Sequence, residues 1–383
     1  MVPAGRPLYL GAYTSGAGGQ AAGVGVLVHD QETGRWSSAG GDAASTGALP
    51  ALTATGDAPE SPSFLVWNPD GRHLYAVGEV AEGRVWTYEV TAPEAVPRVI
   101  GSVATGGAFP CHLSVDPAGR YVVSANYGSG SLAVHRVLAD GSLGARTDLV
   151  QHQGSGPDQD RQGGPHAHMA VFVDDTLLLA VDLGVDGVAA YRLDPETGRL
   201  SAASTPWSSL PAGFGPRHLV ALPDGLVALA GELSGEIALL ELAPASGALT
   251  LLDLQRASTS AVPSAPSGIA RTADGAFVVI ANRGPDTIAS FAVDHHLGGA
   301  HLRPVDEIGC GGAHPRSVTV VDDLVYVANQ LGGNITVLRV DGRTGALRDT
   351  GSRIDTPTPT HVLPFPSTTG LDQCPARTSL ESP

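Results

Sequence analysis

A pattern of about fifty residues recurs along the whole chain. In each copy a proline begins a short segment with polar neighbours, a turn follows, and an apolar run then ends on a polar residue. The prolines that begin the copies lie at intervals of 44 to 55 residues and are Pro62, Pro110, Pro165, Pro216, Pro266, Pro315 and Pro359. A period of this length, repeated this often, is typical of β-propellers and solenoids.

The apolar runs inside the copies predict buried β-strands. They are short and continuous, as in Tyr121–Ser124, Leu226–Leu229 and Val325–Ala328. Runs of this kind suit strands that are buried on both faces. Gly and Asp in the intervening turns supply the positive φ that tight hairpins need. No stretch of helix length shows the helical periodicity of about 3.6 residues.

The two ends of the chain complement each other. The first copy, from Leu8, lacks a proline-led strand, whereas the last such strand, from Pro359 to Pro364, has no partners after it. Pairing the two closes the ring and removes exposed sheet edges. We therefore predict an all-β fold, a seven-bladed β-propeller of four-stranded antiparallel blades whose N- and C-terminal strands pair. The alternative is a two-sheet sandwich or a pair of β domains.

The predicted propeller is a single domain that spans residues 7–364. Residues 365–383 are polar and rich in Pro, Ser and Thr, and they are predicted to form a flexible tail.

The amino-acid composition excludes several kinds of binding partner and chemistry. The net charge of −16 argues against nucleic acid or an anionic membrane as a partner. All 22 basic residues are Arg, which excludes a Schiff-base lysine and a P-loop lysine. No uncharged apolar run reaches the length of about 18 residues that a membrane helix needs. The first residues also lack the layout of a signal peptide.

The three cysteines, Cys111, Cys310 and Cys374, are scattered and form no metal or disulfide framework. We expect a cytoplasmic protein in a reducing compartment, either a monomer or a weak homodimer.

Polar residues are expected to gather at one mouth of the ring. The first strand of each blade lines the central channel, and in an antiparallel pair its start lies beside the end of the second strand. Arg217, His218 and Glu232 should therefore meet, and Arg283 adds a further cation. The other polar residues at these positions are Ser63, Glu79, His112, Asn126, His166, His168, Asp182, Ser267, Asn282, Arg316, Asn329, Thr360 and His361. The structural alternative is that strand-end Asn and Asp side chains only form local turns.

The longest interval between copies contains an inserted polar segment. It runs from Gln151 to Gly164, includes Arg161, and leads directly into Pro165-His166-Ala167-His168. We predict that it forms a wall or lid of the pocket. The alternative is a tolerated surface insertion, because lengthening a loop costs little free energy.

Neither a metal nor another cofactor is predicted. Zinc sites need about three or four convergent ligands, and His166 and His168, two apart on an extended chain, would point to opposite faces. A calcium site remains an alternative, held by the oxygen ligands Glu79, Asn126, Asp182 and Glu232. There is no Gly-x-Ser-x-Gly motif of a serine hydrolase.

Several motifs, in order along the chain, resemble those of a known family. They are Ala125-Asn126-Tyr127-Gly128, Arg161-Gln162, Pro165-His166-Ala167-His168, Asp182-Leu183-Gly184, Gly215-Pro216-Arg217-His218, Glu232-Leu233, Asn282-Arg283-Gly284 and Pro315-Arg316. The chain up to about Pro364 resembles the seven-bladed propeller lactonases. That family includes the cycloisomerase-type 6-phosphogluconolactonases and the carboxy-cis,cis-muconate lactonising enzymes.

The resemblance implies metal-independent chemistry on a lactone at the channel mouth. The catalytic residues it implies are His166, Arg217, Glu232 and Arg283. The two arginines would stabilise an oxyanion, and either Glu232 or His166 would move the proton. The residues expected to bind or surround the substrate are His112, Asn126, Arg161, His168, Asp182, His218, Asn282 and Arg316.

Hydrolysis of a sugar lactone or a carboxylated lactone is the first functional hypothesis, and 6-phosphogluconolactone is the substrate that the resemblance suggests. The alternatives are an enzyme that forms or isomerises a lactone and a propeller that only binds its ligand.

Overall fold

The computed structural model describes residues 5–14, 18–38, 59–296 and 299–366. Within these ranges the chain forms seven four-stranded antiparallel sheets. The innermost strands of successive sheets contact one another around a common axis, so the sheets are the blades of a propeller. The predicted all-β, seven-bladed fold is confirmed.

The first blade combines both ends of the chain. Its strands are β1 (Arg6–Ala12), β2 (Gly25–His29), β3 (Trp36–Ser38) and β28 (Pro359–Pro364), in the order β28-β1-β2-β3. β28 is antiparallel to β1, with Leu8 opposite Pro364 and Gly11 opposite His361. The predicted closure of the ring by the terminal strands is confirmed.

The other six blades each use four consecutive strands. The second blade contains β4 (Leu65–Trp67), β5 (His73–Gly78), β6 (Arg84–Glu89) and β7 (Arg98–Ala104). The third contains β8 (Pro110–Val115), β9 (Tyr121–Asn126), β10 (Ser131–Val137) and β11 (Leu143–Gln151). The fourth contains β12 (Ala167–Phe172), β13 (Leu177–Asp182), β14 (Gly187–Leu193) and β15 (Leu200–Ser209).

The remaining three blades follow the same order. The fifth contains β16 (Pro216–Ala221), β17 (Leu226–Gly231), β18 (Glu236–Ala243) and β19 (Ala248–Arg256). The sixth contains β20 (Ala265–Arg271), β21 (Phe277–Arg283), β22 (Thr287–His296) and β23 (Gly299–Gly309). The seventh contains β24 (Pro315–Val321), β25 (Leu324–Asn329), β26 (Asn334–Val340) and β27 (Leu347–Asp355).

Apolar side chains on both faces of the inner strands join neighbouring blades. Leu179 and Val181 of β13, for example, pack in one cluster with Leu219 and Leu229 of the next blade. Burial of each such side chain stabilises the fold by about 1.5–3 kcal/mol. This is the packing that the continuous apolar runs predicted.

Most of the prolines that begin the inner strands are preceded by a residue whose backbone has the left-handed conformation. The residues with positive φ at this position are Ser61, Phe109, Gly215, His314 and Thr358. The chain therefore turns sharply just before it enters the channel wall, which the repeat alone did not predict.

Two short 3-10 turns, Leu183–Val185 and Pro223–Gly225, connect strands. In the described part of the chain, no helix is long and apolar enough to cross a membrane. Of the predicted tail, residues 367–383 lie outside the described residues, and Phe365 packs against Tyr9 and Trp67.

Candidate active site

Polar side chains at one end of the inner strands surround a cavity of about 150 Å³. Every innermost strand, or the segment just before it, contributes to the lining, so the cavity lies on the axis of the ring. The contributors, one for each blade, are Ser63, His112, His168, Arg217, Gly268, Arg316 and Thr360.

Three arginines converge on Glu232, next to this cavity. Glu232 Oε2 lies 2.9 Å from Arg217 Nε and 2.8 Å from Arg283 Nη2. Glu232 Oε1 accepts a 2.6 Å hydrogen bond from Arg161 Nη2. Because Pro216 pairs with Gly231 in the β16–β17 hairpin, Arg217 and Glu232 lie at the same end of that hairpin.

The arginines control the charge of Glu232. Burial alone would raise the pKa of Glu232, but Arg283 and Arg217 outweigh burial and hold the pKa well below its usual range. Burial and the neighbouring Arg283 lower the pKa of Arg217 to about 9, so that guanidinium remains charged at neutral pH. Glu232 is therefore a fixed anion and a weak base.

His166 has a defined tautomer. Its Nδ1 lies 2.9 Å from the carbonyl oxygen of Tyr127, and the two rings stack with centroids 4.6 Å apart. A carbonyl oxygen only accepts hydrogen bonds, so Nδ1 of the neutral ring carries the hydrogen. Nε2 is then the ring nitrogen with a free lone pair, which suits a proton acceptor.

The inserted segment is packed against the site. Arg161 Nη2 bonds Glu232 and lies 3.3 Å from Tyr127 Oη. The adjacent Gln162 is buried and donates 2.8 Å hydrogen bonds to the Leu183 carbonyl and to Asp186. The segment thus forms a wall beside Glu232.

A second charged group lies on another part of the cavity wall. Arg316 Nη2 is 3.7 Å from Glu79 Oε1, and its guanidinium lies 5.0 Å from the centre of the Tyr13 ring. Glu79 also accepts hydrogen bonds from Tyr13 Oη at 2.8 Å and from Ser63 Oγ. Together the two charged groups hold four arginines and two glutamates.

Four histidines line the cavity and are kept neutral. His218 lies between His168 and His112, with ring centroids 5.1 and 5.5 Å away, and Phe64 lies 4.1 Å from both His112 and His361. Burial lowers the pKa of His112 and of His361 to about 3. Burial and Arg217 hold the pKa of His168 and of His218 well below the usual range.

The structure gathers most of the predicted residues, but not all of them face the cavity. His112, His168, Arg217, His218 and Arg316 line it. Arg161, Glu232 and Arg283 adjoin the cavity through Arg217. His166 stacks on Tyr127, whose hydroxyl lies 3.3 Å from Arg161.

Three predicted residues are buried behind the side chains that line the cavity. Asn126 Nδ2 donates to Ser131 Oγ at 3.1 Å, and Asn282 Nδ2 donates to the Ala257 carbonyl at 2.8 Å. Asp182 is fully buried and bonds His152 at 2.6 Å. The Asn126 contact is local in the sequence, whereas Asn282 and Asp182 bond residues 25 and 30 positions away.

Residues near the site that the sequence pattern did not predict include Tyr13, Tyr127 and His152. Tyr127 directly follows the polar end of β9, so extending the strand-end rule by one residue would have found it. Tyr13 follows the end of β1 in the same way. His152 lies in the insertion, where the repeat offers no signal.

The proposed calcium ligands do not form one site. Glu79, Asn126, Asp182 and Glu232 each bond different partners, namely Tyr13 and Ser63, Ser131, His152, and the three arginines. Among residues 5–14, 18–38, 59–296 and 299–366, no group of three or more His, Cys, Asp or Glu side chains could hold a metal ion.

Comparison with known proteins identifies the family. The family model for lactonases with a seven-bladed β-propeller matches residues 7–364. A Bacillus subtilis protein named 6-phosphogluconolactonase is 32% identical over 313 residues, which cover 79% of this chain and 86% of the relative. A Formosa agariphila protein of the same name is 28% identical over 297 residues, which cover 75% and 83%.

The solved structure of a periplasmic gluconolactonase from Pseudomonas aeruginosa superposes with a TM-score of 0.83 at 29% identity. The superposition covers 94% of this chain and 99% of that one. The family model spans the propeller that contains the Glu232 group. This chain belongs to the seven-bladed β-propeller lactonase family.

Proposed function

We propose that this chain hydrolyses an anionic sugar lactone or carboxylated lactone at the channel mouth. The observation that carries the proposal is the convergence of Arg161, Arg217 and Arg283 on Glu232. The ring of His166, with its Nε2 lone pair available, stacks on Tyr127, whose hydroxyl lies 3.3 Å from Arg161. A lactonase needs a group that activates water and donors that stabilise the tetrahedral oxyanion. This group of residues contains both.

His166 is the general base in this proposal. Its Nε2 is left with a lone pair, because Nδ1 donates to the Tyr127 carbonyl. Glu232 is a poor candidate, because both of its oxygens are paired with arginines that hold its pKa low. Glu232 instead fixes the arginines in place.

Arg217 and Arg283 stabilise the oxyanion. Each approaches Glu232 through one nitrogen, and a guanidinium carries five N–H donors, so donors remain for the substrate. In other hydrolases, removal of one oxyanion donor slows the reaction by about 10²–10³-fold.

The reaction proceeds in two steps. Water attacks the lactone carbonyl carbon while His166 Nε2 takes its proton, and the carbonyl oxygen becomes an oxyanion beside the arginines. The bond between the carbonyl carbon and the ring oxygen then breaks, and the ring oxygen takes the proton from the imidazolium. The product is the open hydroxy acid, and the neutral imidazole is restored.

The charges of the site support an anionic substrate. Four arginines face two glutamates there, and the cavity histidines are neutral. Arginine binds both carboxylate and phosphate through paired hydrogen bonds. Since relatives are named 6-phosphogluconolactonase, that lactone is the first substrate to test.

Turnover on a panel of lactones tests the proposal. We expect the wild type to open 6-phosphogluconolactone or a carboxylated lactone, and His166→Gln and Arg217→Lys to lower kcat/KM at least about 100-fold. Arg199→Lys, at an exposed arginine before β15, serves as the matched control and should leave turnover unchanged. Full activity in both site variants would remove this group from the mechanism.

Isotope labelling separates hydrolysis from formation or isomerisation of a lactone. Hydrolysis in ¹⁸O-labelled water places one labelled oxygen in the product carboxylate. Turnover without label would favour the isomerase alternative. Retained binding with no turnover on the whole panel would favour a propeller that only binds its ligand.

We also propose a cellular compartment and an oligomeric state for the protein. A cytoplasmic monomer or weak homodimer that does not bind nucleic acid fits the net charge of −16 and the free, buried thiols of Cys111 and Cys310. Fractionation of cells and sedimentation of the pure protein test this. Recovery from the periplasm, as the name of the Pseudomonas aeruginosa protein states for that relative, would contradict it.

A further inference from the structure

Asp182 holds the main chain of His166. Its Oδ1 accepts hydrogen bonds from the backbone N–H of His166 at 2.7 Å and of Gly184 at 3.0 Å. Its Oδ2 lies 2.6 Å from His152 Nδ1. The carboxylate is fully buried. Within the part of the chain that the structure describes, these three donors, rather than water, are its hydrogen-bond partners.

His152 is committed to this carboxylate. Its side chain is only 1% exposed and lies near the rings of Tyr191 and Trp207, with centroids 6.1 and 5.5 Å away. Nδ1 faces an anion and carries the hydrogen, whereas Nε2 has no hydrogen-bond partner within the described residues. Within the part of the chain that the structure describes, Asp182 is therefore the hydrogen-bond partner of the His152 ring.

In the third and seventh blades, the side chain at the equivalent position bonds the third strand of its own sheet. Asn126 ends β9 and bonds Ser131 of its own blade, and Asn329 ends β25 and bonds Thr336 of its own blade. Asp182, at the end of β13, instead bonds the residue that precedes β12, and that residue is His166. The blade that carries the proposed base thus has an acidic side chain at this position, where the third and seventh blades have an amide.

The insertion supplies the partner of this acid. His152 lies at its beginning, and Arg161 and Gln162 lie near its end, where they bond Glu232 and Asp186. The segment is therefore held at both ends by acidic residues of the site. A loop that only lengthened a surface turn would not need buried polar side chains at both ends.

We propose that His152 and Asp182 form a positioning pair that holds His166 for catalysis; the proposal rests on the function proposed above. The His166 ring is fixed by Nδ1 through the Tyr127 carbonyl, and its main chain is fixed by Asp182. Without His152, the carboxylate turns toward another donor, and the His166 main chain loses its anchor. A displacement of about 1 Å at a reacting group can slow a reaction by about 10²-fold.

Two substitutions of His152 test the pair. Gln can still donate an N–H to Asp182, whereas Leu fills the space without a donor. We expect His152→Leu to lower kcat about 10–100-fold with little change in KM, and His152→Gln to recover most of the activity. Hydrogen exchange of the peptide around His166 should be faster in the Leu variant and close to wild type in the Gln variant.

The matched control is the His73–Asp70 pair, in the β4–β5 turn. It has the same contact between Nδ1 and a carboxylate, but it lies outside the cavity lining. His73→Leu should leave kcat, KM and exchange at His166 unchanged. Melting curves for all variants show whether a loss of activity comes from unfolding. If the Leu variant does not fold, the His152→Gln variant still tests the pair.

The outcomes are distinct. Wild-type kcat in a folded His152→Leu protein, or equal losses in the Leu and Gln variants, would overturn the positioning pair alone. Failure of the wild type to open any lactone would overturn the proposed function, and the positioning role with it. Faster exchange at His166 in that case would still identify the pair as a structural anchor.

Discussion

At the scale of residues, one buried carboxylate organises the cations of the site. Glu232 pairs with Arg161, Arg217 and Arg283, which would otherwise repel one another. Breaking a buried ion pair by removing one partner costs about 3–5 kcal/mol, because the other charges are left uncompensated. We infer that Glu232 contributes to stability as well as to binding.

Glu232→Gln should therefore destabilise the protein at pH 7 by about 3–5 kcal/mol. The folded pKa of Glu232 lies below its ordinary value of 4.5, so the stability that its charge provides is complete above about pH 4.5 and is lost as the pH falls further. Urea unfolding at a series of pH values should show the gap between variant and wild type narrowing below that point. Glu241→Gln, on an exposed glutamate of the same blade, is the control. A gap that is absent at pH 7, or constant down to pH 3.5, would contradict this assignment.

Residue contacts could be predicted where they follow from pairing of strands. Arg217 meets Glu232 because the two lie at the same end of one hairpin, and that geometry can be inferred from the repeat. Tyr127 lies one residue beyond the strand end to which this rule applies, and His152 could not be found in this way, because an insertion carries it. For the same reason the choice of base needed the contact between His166 and the Tyr127 carbonyl.

At the scale of elements, the entry to β16 positions Arg217. Gly215 has a φ of 58° and directly precedes Pro216. Asp186 accepts its N–H at 2.7 Å, and the carbonyl of Gly215 accepts the N–H of Glu232 at 2.8 Å. One glycine thus links the 3-10 turn of the fourth blade to the charged group of the fifth.

Gly215→Ala should weaken both the fold and the site. A Cβ there would lie 2.3 Å from Leu233 Cγ, and the left-handed backbone adds about 1–2 kcal/mol of strain. Thermal melting should show a lower Tm, and turnover of the lactone should fall. Gly101→Ala in β7, where an added Cβ meets nothing within 4 Å, is the control and should melt like the wild type. Equal melting temperatures for the two variants would contradict the role of this turn.

At the scale of the whole molecule, the propeller could be predicted almost completely. The period of about fifty residues determines the number of blades, and the incomplete copies at Leu8 and Pro359 determine how the ring closes. The left-handed backbone conformation of residues just before the prolines, such as Phe109 and His314, could not be predicted. Nothing in a local pattern requires a non-glycine residue to adopt that conformation.

Buried neutral histidines should make the whole propeller sensitive to acid. Burial lowers the pKa of His112 and His361 to about 3 and that of His29, His135 and His314 to about 4. In the unfolded chain these groups take up protons near pH 6.5, so stability is complete above that pH and is lost as the pH falls toward 4.

A fully buried histidine such as His135 lowers the free energy of unfolding by up to about 1.4 kcal/mol per pH unit below pH 6.5. The Tm should therefore fall steadily between about pH 6.5 and pH 5, and His135→Leu should reduce the slope. His135 is fully buried in β10, outside the cavity lining, so this variant tests stability rather than the site. A Tm that does not change over this range would contradict the account.

The central claim is that a lactone is opened beside the arginines that Glu232 holds. The most direct test is a crystal structure of the protein with the hydroxy acid that the wild type forms. We expect the carboxylate of that product within hydrogen-bond distance of Arg217 or Arg283, with His166 Nε2 facing it. Product bound at the opposite opening of the ring or in a groove between outer strands, with the arginines undisturbed on Glu232, would contradict the claim.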